Sequence, residues 1–312
     1  MRGRWIAKAV AQKAISFLPD PQRANHFFQD RVTRGTTLTP AMLEQSVGWA
    51  VLHLSAFDRC GGRRHGATAV ELGPGWYPVV PLCLFLAGFD RVDMVDLEDL
   101  GRSELAVQAI DGLLAAADDG GLAELGELQP GRLERLGRAR STVVHRGHVA
   151  GLEELGLLVR PMDARQLELP APPDLICSNT VLEHIRPEVL EGILARFGEL
   201  AAPGTVMSHL VDHADHYAYV DDTIDVHHFL RYSDRVWRLI DNDVQPMNRL
   251  RASEYLELYR RAGVPVDEEH RRGDDPLRLV GIPLADRFRN MDPADVACVA
   301  SHLVTRFDRP AT

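Results

Sequence analysis

Lysine is nearly missing from this chain: among 35 basic residues only Lys8 and Lys13 are lysines, and the rest are arginine. That bias is what GC-rich coding produces, so it fits a bacterial source and says nothing about function. A basic face is missing too. The formal charge of −10 leaves no broad surface for neutralising phosphates, which argues against a nucleic-acid partner and for small-molecule or protein substrates. Cysteine is sparse, and Cys60, Cys83, Cys177 and Cys298 show no CxxC spacing. Neither a zinc knot nor a disulfide framework follows, and a reducing cytoplasm is the expected compartment. No apolar run approaches the roughly 18 residues of a membrane span. The apolar stretch from Trp5 to Leu18 is interrupted by Lys8 and Lys13, which argues against a signal peptide; binding to a membrane surface is the lesser alternative to a packed helix, and no membrane partner is expected. With Ile6, Val10, Ala14 and Phe17 near helical spacing, it reads as a packed amphipathic helix.

What is present is ordinary globular material, 45% hydrophobic and 26% charged over 312 residues, enough for one large α/β domain with additions. After Pro19 and Pro21 a second helix is expected, with Thr39 as N-cap, Pro40 in the first turn, and Leu43, Val47, Ala50, Val51 and Leu54 along one face. Gly61-Gly62 ends it. Residues 1–62 therefore read as an N-terminal helical cap on a main domain spanning 63–312. In that domain short apolar runs near 67–72, 91–96, 157–161, 173–179, 205–211, 264–270 and 300–306 predict seven strands. Helices over about 76–88, 101–117, 187–201 and 253–262 fill the gaps, and 118–155 reads as helical. This alternation defines a doubly wound, mainly parallel sheet. It breaks once, at an insertion over 212–250 rich in His, Asp and aromatic residues, too long for an ordinary connection.

The run Ala69-Val70-Glu71-Leu72-Gly73-Pro74-Gly75-Trp76 is a buried strand entering a tight glycine turn. Glycines suit a backbone that turns sharply and approaches a ligand closely. Dinucleotide enzymes continue the pattern with glycine where this chain has Pro78, which weakens that reading. An acidic Glu71 ahead of Gly73 and Gly75 suits a ligand with a cationic amino group, such as the methionine part of S-adenosylmethionine. Asp96 ends the second strand, where a carboxylate accepts from ribose hydroxyls, and Asp163 follows the third, where it would accept from an adenine amino group.

On these residues the chain from about 67 onward resembles class I S-adenosylmethionine-dependent methyltransferases of the small-molecule branch. Glu71 to Gly75 matches the glycine motif, Asp96 the ribose acid, Met162-Asp163-Ala164 the adenine segment, and Ser178-Asn179-Thr180-Val181-Leu182-Glu183-His184-Ile185 the motif after strand four. The resemblance implies a Rossmann-like seven-stranded fold, S-adenosyl-L-methionine as cofactor, and Glu71, Gly73, Gly75, Asp96, Asp163, Ala164 and Asn179 as its contacts. Tyr77 departs from the pattern, standing where many members have a third glycine.

Methyl transfer needs an aligned acceptor lone pair, exclusion of water and, for hydroxyl or ammonium acceptors, a base near neutral pH. His209, His213, His216, His227 and His228 fall in or beside the insertion. His209 and His216 are the leading base candidates, Asp212 and Asp215 their orienting partners, and His213, His228 and Tyr232 candidate substrate contacts. Arg249 and Arg251 could clamp an anionic group in bidentate fashion. Phe229, Tyr232, Trp237 and Met247 read as a lid. The His/Asp run also permits a metal reading, but neither HExxH nor facial-triad spacing is met and no metal ligand is assigned. The expected activity is methyl transfer to an O- or N-acceptor on a small polar metabolite, in a natural-product pathway. Two other readings stand beside it: a methyltransferase-fold enzyme of cyclisation or elimination, such as aziridine-type ring closure, and a non-catalytic subunit of a homo- or hetero-oligomer.

Overall fold

The computed structural model describes residues 3–18, 37–273 and 275–307; Pro19 and Pro21 lie outside them. The N-terminal helix, α1 (Arg4–Ile15), is followed by α2 (Pro40–Arg59), where the Thr39 hydroxyl accepts from Met42 N at 3.3 Å and Pro40 opens the helix. The alternating part then runs β1 (Thr68–Leu72), α3 (Val79–Ala87), β2 (Arg91–Asp96), α4 (Ser103–Asp118), α5 (Arg132–Arg146), α6 (His148–Glu153), β3 (Leu157–Pro161), β4 (Leu175–Asn179), α7 (Pro187–Leu200) and β5 (Val206–Asp212). The insertion carries short 3-10 turns and α8 (Asp234–Ile240). The chain closes with α9 (Ala252–Arg261), β6 (Glu268–Arg272), α10 (Asp286–Arg289), α11 (Pro293–Ala297) and β7 (Ala300–Arg306).

The seven strands form one sheet in the order β3-β2-β1-β4-β5-β7-β6. The first five pair in parallel, while β7 runs antiparallel between β5 and β6. Strand order reverses between β1 and β4, so their carboxyl ends diverge into a crevice, the place where open α/β sheets bind ligands. β6 starts at Glu268, four residues later than its expected position, because Val264 is buried against the sheet's helical layer before the strand begins. α3 starts only at Val79, after Pro78, so residues 76–78 stay in the loop over the crevice. Its sequence, VVPLCLFLA, is apolar all round, and every residue is buried, as a helix enclosed by neighbours requires.

One apolar layer joins α2, α3, α4 and α5 to one face of the sheet, and a second joins α7 and α9 to the other. The two N-terminal helices thus have different roles. α2 is built into the main core, whereas α1 lies on the insertion, with Gln12 Nε2 donating to Gln245 Oε1 at 3.1 Å and Lys13 Nζ to Asp241 O at 2.6 Å. Phe229, Trp237 and Met247, expected as a lid, are buried in a third, smaller core with Ala9 and Phe288.

Leu84 in α3 is fully buried, so Leu84→Ala removes contacts on all sides and is expected to lower stability by about 3 kcal/mol. Ile6→Ser on the exposed face of α1 is expected to change it by less than about 0.5 kcal/mol. Urea unfolding midpoints of the two variants check both values.

Candidate active site

The crevice is walled first by the glycine turn. Gly73 has φ +69°, and a Cβ there would sit 2.5 Å from Val181 Cγ2, so the turn tolerates no side chain. Gly75 has φ +67° with nothing within 4 Å of its Cβ position, leaving its backbone facing open space. A cleft of about 440 Å³ runs from Gly75 and Trp76 past Asp96 to Val159 and Pro161, with His148 and Asp99 at its rim. His148 Nε2 lies 2.9 Å from Asp99 Oδ2. Asp96 ends β2 and accepts from Leu97 N at 2.8 Å; burial raises its pKa to about 6.

Glu71 sits in β1 two residues before Gly73, behind the glycine turn that walls this cleft, and is 2% exposed. Its Oε1 accepts from Asn179 Nδ2 at 3.3 Å, and its Oε2 has no partner. Burial lifts its pKa to about 8. The Asn179 amide is held in turn by a residue that sequence reasoning missed. His53 of α2 puts Nε2 2.8 Å from Asn179 Oδ1 and Nδ1 2.8 Å from Ser208 Oγ, and Ser208 Oγ lies 2.7 Å from His302 Nε2. With Asn179 donating to Glu71, only one proton order fits: His53 Nε2 donates to Asn179, Ser208 to His53 Nδ1, and His302 Nε2 to Ser208. His302 Nδ1 is then a bare lone pair, and it has no partner. The apolar stripe of α2 pointed to this helix's burial, but a histidine within that stripe gave no sign of a polar chain behind it.

On the β4 and β5 side, Asp212 accepts from His216 Nε2 at 3.2 Å and from the Tyr219 hydroxyl at 2.7 Å. Burial would raise the Asp212 carboxyl, but these bonds bring it below its usual range. His184 meets His216 edge to face at 4.8 Å between ring centres. A hollow of about 240 Å³ opens here, lined by His216, Tyr217, Lys8 and Gln12.

Several expected site residues lie elsewhere. His209 is in mid-strand on the face toward α7 and α9, stacked on Phe197, with Nδ1 bonded to Ser178 Oγ at 2.7 Å. Strand alternation aims it into the core, so it is not a base for the site. His213 is buried between Leu250 O and Ser301 Oγ, which removes it as a substrate contact. Arg249 has φ +57° and donates to Phe229 O, Tyr232 O and Asp234. Arg251 is fully buried and donates to the carbonyls of His213 and Cys298. Arg249 ties the insertion together internally, Arg251 fastens its start to the segment before β7, and neither presents an anion clamp. Asp215 partners His228, at 3.3 Å, instead of His216; Tyr232 donates to the other His228 nitrogen at 3.3 Å. His228 and Tyr232 line a separate hollow beside Trp5 and Arg231. Asp163 caps the turn after β3 and pairs with Arg165, and Ala164 is buried in the core; Val159, Arg160 and Pro161 form the cleft wall there instead.

The sheet order, the antiparallel seventh strand and a cleft past the carboxyl ends of β1, β2 and β3 define the class I methyltransferase fold, and this chain has it. No protein-family profile and no curated protein matches the chain. Among solved structures it is similar to the Burkholderia thailandensis 1,6-didemethyltoxoflavin-N1-methyltransferase with bound 1,6-didemethyltoxoflavin and S-adenosylhomocysteine, at 14% identity and TM-score 0.46, covering 92% of this chain and 87% of that one. It is also similar to an S-adenosylmethionine-dependent methyltransferase from Clostridium acetobutylicum, at 9% identity and TM-score 0.45, covering 92% and 98%. The CcbJ methyltransferase from Streptomyces caelestis gives 12% and 0.43, covering 87% and 91%. Likeness this distant does not bear on activity.

Arg251→Ala would strand the His213 and Cys298 carbonyls and is expected to lower stability by about 3 kcal/mol in urea unfolding. Acid should destabilise the fold as well. Burial holds His53 at about 4 and His209, His213 and His302 at about 3. The unfolded chain, with ordinary imidazoles, therefore takes up protons below pH 6.5 that the folded chain refuses, and stability falls as pH falls through that window. The raised Glu71 and Asp96 carboxyls act in the opposite sense and offset part of this. Stability is expected to be about 3 kcal/mol lower at pH 5 than at pH 6.5, measured as a shift in urea midpoint.

Proposed function

We propose that this protein binds S-adenosyl-L-methionine in the β1/β2/β3 cleft and transfers its methyl group to an O- or N-acceptor on a small polar metabolite. The observation that carries the reading is the buried Glu71 carboxylate with Oε2 unpartnered at the head of a glycine turn. A carboxylate so placed is costly unless a cationic group meets it. The cofactor's amino group is such a cation, so the residues present fit it. Glu71 and Asn179 would hold the amino-acid end. Gly75 would let the backbone pass close to the ligand, and Asp96 would accept from the ribose hydroxyls. Met94, Val159 and Pro161 would flank the base.

When bound, the cofactor supplies an electrophilic sulfonium methyl group. The chain's own task is then to hold the acceptor in line, exclude water and accept or displace its proton. The polar cluster of Glu183, His184, His216 and Asp212 beyond the ends of β4 and β5 supports that role. The hollow lined by His216, Lys8, Gln12 and Tyr217 borders this cluster. Among the described residues no helix is long and apolar enough to cross a membrane, and the charge of −10 favours a metabolite over a nucleic acid. The cyclisation reading loses its main support, because Arg249 and Arg251 are bound to backbone carbonyls and cannot cradle a leaving group.

Titration calorimetry with S-adenosylmethionine and S-adenosylhomocysteine should detect both ligands, and Asp96→Ala should weaken each by at least about 10-fold; binding of neither would end this reading. Given an acceptor, deuteromethyl-labelled cofactor should deliver a labelled methyl to the product by mass spectrometry. His216→Asn should lower turnover by about 100-fold or more with S-adenosylhomocysteine affinity unchanged.

A further inference from the structure

Glu183, His184 and His216 each offer one ligand atom, and these atoms lie within 4.8 Å of one another. They come from the turns that follow two paired strands, Leu182–His184 after β4 and His216–Tyr219 after β5. Glu183 is only 3% exposed, and no side chain pairs with its carboxyl oxygens, which are faced only by the backbone N–H groups of Glu183 and Asp212. A carboxyl group buried without a counter-charge is unfavourable in its ionised form. A ligand that brings positive charge removes the anomaly.

The two imidazoles are already prepared for one. His184 Nδ1 donates to Pro246 O at 2.7 Å, which leaves Nε2 as the lone pair. His216 Nε2 donates to Asp212 Oδ2 at 3.2 Å, which leaves Nδ1 as the lone pair. Metal-ligating histidines characteristically give their other N–H to a backbone carbonyl or a carboxylate, which fixes tautomer and ring orientation. Both arrangements occur here, side by side, next to the orphaned carboxylate. Asp212 is further anchored by Tyr219 and Ala214 N, as an outer carboxylate should be.

We propose that Glu183, His184 and His216 bind a divalent transition-metal cation of borderline softness, of the zinc or cobalt type. Two imidazoles and one carboxylate suit such ions better than magnesium or calcium, which prefer all-oxygen shells. Three protein ligands leave positions open, and His216 also lines the hollow beside Lys8, Gln12 and Tyr217. A hydroxyl or amine in that hollow would be the exchangeable ligand. The cation site stands independently of methyl transfer, whereas its service to an acceptor rests on the function proposed above. In that setting His216 acts as a ligand, and the cation takes over the task of making the acceptor's proton easy to lose.

The test uses untagged full-length protein stripped with a chelator and titrated with Co²⁺, read by its visible absorption. About one equivalent should bind with bands distinct from those of the aqueous ion, and an equal concentration of Mg²⁺ should not displace it. Glu183→Gln and His216→Ala should each weaken binding by at least about 30-fold. Metal-free Glu183→Gln should melt at or above the wild-type temperature, since it replaces a buried carboxyl that has no side-chain partner by a neutral isostere, and so reports on a folded protein. An aqueous-ion spectrum in the wild type, or unchanged Co²⁺ affinity in both variants, would overturn the proposal. S-adenosylhomocysteine binding measured on the same samples separates the two ideas. Its absence with Co²⁺ bound sinks the methyl-transfer reading alone, and its presence without Co²⁺ binding sinks the cation site alone.

Discussion

The architecture turns on one buried carboxylate. Glu71 is placed near the carboxyl end of β1, beside β4, where the order of the sheet reverses and the flanking connections part. Its position forces a particular neighbourhood: Asn179 from the adjacent strand must donate to it, and His53, Ser208 and His302 must align behind Asn179 to keep the amide from turning round. A helix that precedes the sheet in sequence, β4, β5 and the antiparallel β7 are thereby tied to one oxygen atom. The second oxygen is left without a partner, and that vacancy of charge is what gives the cleft its chemical meaning.

Much of this was legible in the sequence because it follows from periodicity and turn chemistry. The seven short apolar runs gave seven strands, and the change from strand to glycine turn after Glu71 marked the crevice. Asp96 lay where a strand-end acid belongs and lines the cleft. His216 pairs with Asp212, one of the two carboxylates, with Asp215, that the sequence offered it.

The losses have a common physical cause. Sequence places a polar residue near a sheet edge but does not say which way it points or what already occupies its hydrogen bonds. His209 is one residue from Ser208, yet alternation sends the two to opposite faces, one into the core and the other into the chain that holds Asn179. Arg249 and Arg251 look like an anion clamp until the unpaired carbonyls of the insertion are counted, since a long irregular segment must satisfy its backbone somewhere. Glu183 and His184 were visible inside a recognisable motif, but their partner His216 comes from a different loop, 32 positions beyond His184, and no linear spacing rule joins them.

The central claim is that Glu71 receives the cationic amino group of a sulfonium nucleoside cofactor. It is tested most directly by comparing S-adenosylhomocysteine with 5′-methylthioadenosine, which lacks the amino-acid end, on wild-type protein and on Glu71→Gln. The account predicts that the substitution weakens S-adenosylhomocysteine by at least about 10-fold and leaves 5′-methylthioadenosine unchanged. Equal effects on both ligands, or no effect on either, would contradict it.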